Sequence, residues 1–240
     1  MQFGLVIPLF NEGNNIERLM ETLDQSGLPN RGLREVILIN NGSTDNTSGL
    51  ISSLATKHPW IQTVQLKENL NYGGGIFEGF QHCKADVLSY IPGDLQVHPE
   101  DLEKVWDVYQ RASDYGIRRT IFVKGRRTIR KDPLSTQFVS KVYTFLVNFI
   151  LNLRVQDVNG LPKMFHRDLL NFLPHEKMRT FVFDAQLLLT AREKSSEIIE
   201  VPVTFHARRE GVSTWARKRV ATYWITLKQI IHLKRMCRPG

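Results

Sequence analysis

The segment YIPGDLQVHPED, residues 90–101, puts a carboxylate, Asp94, where an apolar run ends and a turn begins. Gln96 follows two residues later, and Pro92 stands two residues before. A carboxylate at the end of a buried strand can hold a divalent cation or shape a turn, and these residues alone leave both open. INNGSTDNT is a second polar strand end, with Asn40, Asn41, Ser43, Thr44 and Asp45. Backbone N–H groups at such a helix start favour an anion or a polar ring edge, while a cap by Asp45 or Ser43 is the plainer alternative. The glycines of NYGGGIFEG do not follow dinucleotide spacing and carry little alone. Asp157 and Asp184 are the second-half carboxylates to weigh for chemistry. Asp157, in a turn after an apolar helix, reads equally as a general base or a turn-forming residue. His82, His98, His166 and His206 lack metal-ligand spacing and read as structural or surface groups.

Short apolar runs at 2–8, 34–40, 61–66, 86–91 and 120–125 predict buried strands. Helical patterns stand between them, the first with Asn14 as its cap and another over 99–115. This alternation predicts a mainly parallel sheet covered on both faces, with ligands beyond the carboxyl ends of the strands. The places for chemistry are then PLFNEG, NNGSTD and PGDLQ. After Gly125 the pattern lapses into a basic, loop-like RRTIRKDP, an apolar helix over 135–153, a helix over 181–194 and a strand over 196–205. We expect one domain over 1–213, with halves at 1–125 and 126–213, followed by a basic amphipathic helix over 214–240.

The chain has 240 residues, 42% of them hydrophobic and 23% charged, which is the composition of an ordinary globular protein. A formal charge of +8 favours anionic partners: nucleic acid, anionic lipid or a phosphorylated substrate. No nucleic-acid-binding motif accompanies it. Cys83 and Cys237 lack a disulfide-framework spacing, so a reduced, cytosolic compartment is expected. The N-terminus has no signal-peptide pattern. The apolar run VYTFLVNFILNL is about half a membrane span, so contact with a membrane is expected to be peripheral.

Six segments occur in order: IPLFNEGNNI, EVILINNGSTDNT, NLNYGGGIFEG, PGDLQVHPEDL, VNGLPKMF and IEVPVTFHARREGVS. Together they resemble family 2 glycosyltransferases of the GT-A (Rossmann-like) fold, specifically the polyprenyl-phosphate sugar transferases. The resemblance implies a nucleoside-diphosphate-sugar donor on the first half of the sheet. Pro8, Asn11 and Glu12 match the segment around the nucleoside, and Asn40 and Asn41 stand at the base-reading strand end, where the family carries at least one Asp. PGDLQ matches the family's D-A-D-L-Q, so Asp94 and Gln96 are implied ligands of Mg²⁺ or Mn²⁺, with Pro92 removing one carboxylate. Arg127 matches a phosphate-facing arginine, Ser140 the acceptor-phosphate serine, and Arg208 with Ser213 a loop over the donor diphosphate. Thr136 replaces the family's acceptor-phosphate arginine, with Arg130 and Lys131 nearby.

The resemblance thus implies an inverting transferase moving a sugar to a polyprenyl phosphate at the cytoplasmic membrane face, a membrane partner protein being possible. Asp94, Arg127 and Asp157 are the expected catalytic residues. The alternatives are transfer to a sugar hydroxyl in cell-surface polysaccharide synthesis, which would need Asp157 as a base, or a weakened binding relative. The 135–153 helix and the Trp-containing terminal helix suit interfacial contact.

Overall fold

The computed structural model describes residues 1–114, 120–173, 182–208, 226 and 228–234. β1 (Phe3–Leu9), β2 (Leu33–Asn41), β3 (Ile61–Leu66) and β4 (Val87–Tyr90) alternate with α1 (Gly13–Gln25), α2 (Leu28–Arg31), α3 (Thr47–Lys57) and α4 (Asn71–His82). Then follow α5 (Pro99–Asp114), β5 (Ile121–Arg130), α6 (Leu134–Leu151), β6 (Lys163–His166), a 3-10 helix (Arg167–Phe172), α7 (Phe183–Glu193) and β7 (Glu197–Phe205). One seven-stranded sheet runs β3-β2-β1-β4-β6-β5-β7. β6 is antiparallel to both its neighbours, and the other strand pairs are parallel. The carboxyl ends of the six remaining strands, and the chain entering β6, therefore share one edge. The described part of every motif segment reaches that edge.

β1, β2 and β4 are nearly continuous apolar runs because helices cover both faces of a parallel sheet. α1 starts at Gly13, so Asn14 is not its cap; the residue before it, Glu12, makes no side-chain cap either. Its first amides are held from another loop: Glu12 N–H donates to Thr47 Oγ1 at 3.1 Å and Gly13 N–H to Asp45 Oδ2 at 3.2 Å. A sequence window cannot see a cap that comes from more than 30 residues away.

RRTIRKDP is not a loop. β5 continues through it to Arg130, pairing with β7 from Arg126↔Pro202 to Arg130↔Phe205, with an irregularity between Arg127 and Ile129. β6 pairs with β5 only as far as Lys124, so the extension is a two-stranded ribbon beyond the sheet body. Charged side chains suit such a ribbon because much of it meets solvent.

α6 also exceeds expectation. It has 18 residues and is long and apolar enough, by length and composition, to cross a membrane. Its inner side is nevertheless fixed to the domain: Val147 and Leu151 are buried, and Asn148 exchanges hydrogen bonds with Val155 at 2.6 and 3.1 Å. Its outer side shows Leu134, Phe138, Val142, Phe145 and Phe149, which are 41–80% exposed at i+3 and i+4 spacing. In the expected terminal helix, 226 and 228–234 are helical and Ile230 and Leu233 are buried, so this part packs on the domain. Trp215, Arg217, Lys218, Arg219, Tyr223, Trp224 and Arg235 lie outside the described residues.

Gly125 sits where β5 meets the segment entering β6, donating its N–H to Pro162 O at 2.8 Å. A Cβ there would stand 2.1 Å from Leu161 O, a backbone atom. Gly125→Ala is expected to cost about 2–3 kcal/mol in urea unfolding. Gly49→Ala, with nothing within 4 Å of its new Cβ and a helix around it, should be neutral or slightly stabilising.

Candidate active site

The site opens where β1 and β4 part. Their pairing ends at Val6↔Tyr90, and Ile91 N–H still reaches Val6 O at 3.2 Å. Strand amides alternate sides, so Pro8 lacks its N–H on the side β4 is leaving. That is where an inner strand tolerates proline. Beyond it, the segments after β1 and β2 lock together. Asn11 N–H donates to Ser43 Oγ at 3.0 Å, and Thr44 N–H donates to Asn11 Oδ1 at 2.8 Å. Asn40 donates to Gln65 Oε1 at 2.7 Å and accepts from Ser43 N–H at 2.9 Å. Asn41 donates to Asn71 O at 3.0 Å and accepts from Leu70 N–H at 2.9 Å. Both asparagines are buried, and both amides brace the loops around the crevice.

Asp94, Gln96, Glu12 and Arg208 meet across this crevice. Leu95 holds φ at 59°, so the chain turns sharply between the two candidate ligands, and Gln96 N–H donates to Asp94 Oδ1 at 3.1 Å. Arg208 Nη2 bonds Glu12 Oε1, and its Nη1 lies 3.8 Å from Asp94 Oδ2. Burial raises the pKa of both Asp94 and Glu12, with Arg208 acting the other way on each. Glu12 also accepts a bond from Asn15 Nδ2 at 2.7 Å. Gln96 Nε2 donates to His206 O at 3.1 Å, which leaves its carbonyl oxygen as the donor atom for a cation. Carboxylate and amide oxygens form a hard set that fits Mg²⁺ or Mn²⁺. No group of three or more His, Cys, Asp or Glu converges among the described residues, so phosphates and water would supply the rest of a coordination shell.

The second centre is built on Arg127. Its Nε and Nη2 form a fork on Asp157 at 2.8 and 2.7 Å, and Nη2 also donates to Ser140 Oγ at 2.7 Å. The Phe205 ring lies 5.1 Å from the guanidinium carbon. Burial works to raise Asp157, but Arg127 and Lys124 outweigh it and hold the carboxyl well below its usual range. A carboxylate so held is a poor proton acceptor, and its two contacts fix the orientation of the Arg127 guanidinium. Thr136 is exposed, and Arg130 is paired with Asp132 at 2.9 and 2.5 Å. Ser213 lies outside the described residues.

Sequence reasoning missed the polar groups beneath these centres. Lys163 and Lys124 are neighbours in register and fully buried. Lys163 Nζ is 2.5 Å from Asp184 Oδ1, which also accepts from Tyr90 Oη at 2.5 Å. Lys124 Nζ bonds Glu200 Oε1 at 3.0 Å and the backbone oxygens of Gly125 and Asp157. Burial draws Lys163 down to about 8, against the pull of Asp184. The Tyr72 phenol is pushed up by burial and by the Asp184 and Asp94 carboxylates, and Arg127 opposes the shift. Tyr72 therefore feels both centres. The only sequence signal was a lysine at the end of one apolar run, TIFVK, and another inside a second, LPKMF.

Asp157→Asn tests the second centre. The native pKa of Asp157 lies below its ordinary 3.8, so its stabilisation is complete above that value and is lost as pH falls towards the native one. Breaking the pair should cost about 3 kcal/mol at pH 7. In urea unfolding, the gap to the unaltered protein should stay constant down to about pH 5 and narrow below about pH 4.

Comparison with known proteins gives these centres a context. The model of glycosyl transferase family 2 matches residues 5–173. The dolichol-phosphate mannosyltransferase of Pyrococcus furiosus is 24% identical over 224 residues, covering 93% of this chain and 62% of the relative. The undecaprenyl-phosphate 4-deoxy-4-formamido-L-arabinose transferase of Pectobacterium carotovorum is 27% identical over 221 residues, covering 89% of this chain and 62% of the relative. This chain thus spans 62% of the length of either relative. Among solved structures, glucosyl-3-phosphoglycerate synthase of Mycobacterium tuberculosis, with Mn²⁺, UDP and phosphoglyceric acid, superposes with a TM-score of 0.68 at 18% identity. That match covers 100% of this chain and 80% of the other. A mannosyltransferase of Pyrobaculum calidifontis with GDP-Man and Mn²⁺ gives 0.62 at 16% identity, covering 100% and 65%. The sheet with its shared carboxyl edge is the GT-A fold, and the chain belongs to glycosyl transferase family 2.

Proposed function

We propose that the chain transfers a sugar, with inversion, from a nucleoside diphosphate to a polyprenyl phosphate at a membrane surface. One observation carries the choice of acceptor: the two carboxylates that stand as candidate bases, Asp157 and Asp184, are already neutralised, Asp157 by Arg127 and Asp184 by Lys163. A sugar hydroxyl needs a base to take its proton, whereas a phosphate arrives as an anion. An oxygen of the acceptor phosphate attacks the anomeric carbon as the bond to the donor diphosphate breaks. Pro8, Asn11, Glu12, Asn40 and Asn41 shape the nucleoside side of the crevice, and Arg208 serves the diphosphate. Arg127, its Nε and Nη2 held by Asp157 and Ser140, turns its Nη1 donors to the acceptor phosphate. Asp94 and Gln96 would hold Mg²⁺ or Mn²⁺, which when bound offsets charge on the departing diphosphate. The relatives named for polyprenyl-phosphate acceptors support this reading.

The outer face of α6 supports the membrane side. Its five exposed apolar residues begin just after the ribbon carrying Arg126 and the exposed Lys131 that follows it, the arrangement of a helix lying in a headgroup layer. We place the protein peripherally on the cytoplasmic face.

Incubation with a panel of nucleotide sugars, Mn²⁺ or Mg²⁺, and either a polyprenyl phosphate or free sugars tests the acceptor. Glycosylated lipid phosphate is the expected product, and transfer to sugar hydroxyls alone would overturn the reading. Asp94→Ala should lower turnover by about 10²-fold or more and weaken Mn²⁺-dependent nucleotide binding in calorimetry. For the membrane, Phe138→Ser, Phe145→Ser and Phe149→Ser combined should sharply reduce co-sedimentation with anionic vesicles while leaving the melting temperature nearly unchanged. Unaltered sedimentation would remove α6 from the membrane contact.

A further inference from the structure

The arm that follows β7 is docked on both candidate cation ligands. His206 N–H donates to Gln96 O at 3.0 Å, and Gln96 Nε2 returns a bond to His206 O at 3.1 Å. The His206 ring stacks on His98 with centroids 3.8 Å apart. Two residues on, Arg208 spans two carboxylates that are only 7% and 8% exposed, Asp94 and Glu12. The two contacts differ. Glu12 is hydrogen-bonded to the guanidinium, while Asp94 stands at 3.8 Å, inside ion-pair range but beyond a hydrogen bond.

We infer that Arg208 is a built-in counter-cation that competes with the divalent ion for Asp94 and yields that carboxylate as the donor diphosphate binds. The inference rests on the proposed donor chemistry and adds to it an order of events. A buried carboxylate needs a positive partner, and Arg208 supplies one from a loop rather than from the sheet. A divalent ion at Asp94 Oδ2 meets the guanidinium as a like charge, so binding of the metal alone is opposed. A diphosphate removes the opposition, because its oxygens offer the fork better partners than one long contact to Asp94. Metal and nucleotide therefore bind cooperatively, and Glu12 retains the arm while Nη1 changes partner. Pro92 sharpens the effect. With one carboxylate where the family pattern has two, a single positive side chain is enough to hold off the metal.

The test is Mn²⁺ binding followed by calorimetry and by loss of the free-ion electron paramagnetic resonance signal, with and without UDP or GDP. Arg208→Gln should bind Mn²⁺ alone about ten-fold more tightly than the unaltered protein, and Mn²⁺ with nucleoside diphosphate about ten-fold more weakly. Arg208→Lys, which keeps the charge and loses the fork, should leave affinity for Mn²⁺ alone unchanged and still weaken the nucleotide complex. If Arg208→Gln fails to fold, Arg208→Met is read in the same way. Unchanged or weaker affinity for Mn²⁺ alone in a folded, neutral variant overturns the competition and leaves the donor reading standing. Absence of Mn²⁺ binding from every variant, with or without nucleotide, overturns both.

Discussion

Two ammonium groups lie side by side inside the sheet, and much of the second half is arranged to neutralise them. Lys124 and Lys163 are paired in register on β5 and β6, and neither side chain reaches solvent. Left unpaired, each would cost several kcal/mol. Glu200, in register with Lys124 on β7, answers the first, and Asp184 in the first turn of α7 answers the second. Glu200 does more than balance charge: its oxygens also accept from Gln156 N–H at 2.7 Å and Asp157 N–H at 3.1 Å. The loop that aims Arg127 therefore hangs on the same carboxylate that neutralises Lys124. Core electrostatics and site geometry are one network here.

The first half is built differently. Its crevice is braced by neutral amides and hydroxyls, with Asn40, Asn41, Ser43 and Asn11 closing on backbone groups. Such bonds are directional and change little with pH or salt, which suits a surface that must present a fixed shape. The Arg208 arm brings charge across to this half, meeting Glu12 and Asp94. The neutral bracing and the charge that Arg208 adds thus come from different parts of the chain.

How much of this was legible follows from where each signal lies. The strand ends could be read because periodicity and polar punctuation are local, and the parallel order makes those ends converge. The ribbon beyond Gly125 was misread because Arg126–Arg130 is highly charged, which suits an exposed two-stranded extension as well as a loop. α6 was underestimated for a related reason. Ser135, Thr136, Gln137, Ser140 and Lys141 interrupt the linear apolar run, while Leu134, Phe138, Val142, Phe145 and Phe149 still align on one face. The buried lysines were invisible because lysine ordinarily marks solvent, and their partners lie 21 and 76 residues away. The opposition between Arg127 and a base role for Asp157 needed the 2.7–2.8 Å contacts themselves.

α6 joins these themes. Ser140 faces inward and accepts from Arg127, while Phe138 and Val142, two residues to either side, are 68% and 41% exposed. A helix that turns a hydroxyl to a locked guanidinium and aromatic side chains to the outside separates a charged head from an apolar tail across one helix diameter. On the proposed reading, that is the geometry a polyprenyl phosphate requires. The phosphate is held at the carboxyl edge of the sheet, and the chain departs along a surface where its apolar length costs nothing to expose. A soluble phosphorylated acceptor would use Arg127 equally well but would leave the stripe on α6 without a role. On that reading the acceptor site and the apolar face are two sides of one helix, with Asp157 and Glu200 fixing the side that carries Ser140 and the aromatic stripe left free for lipid.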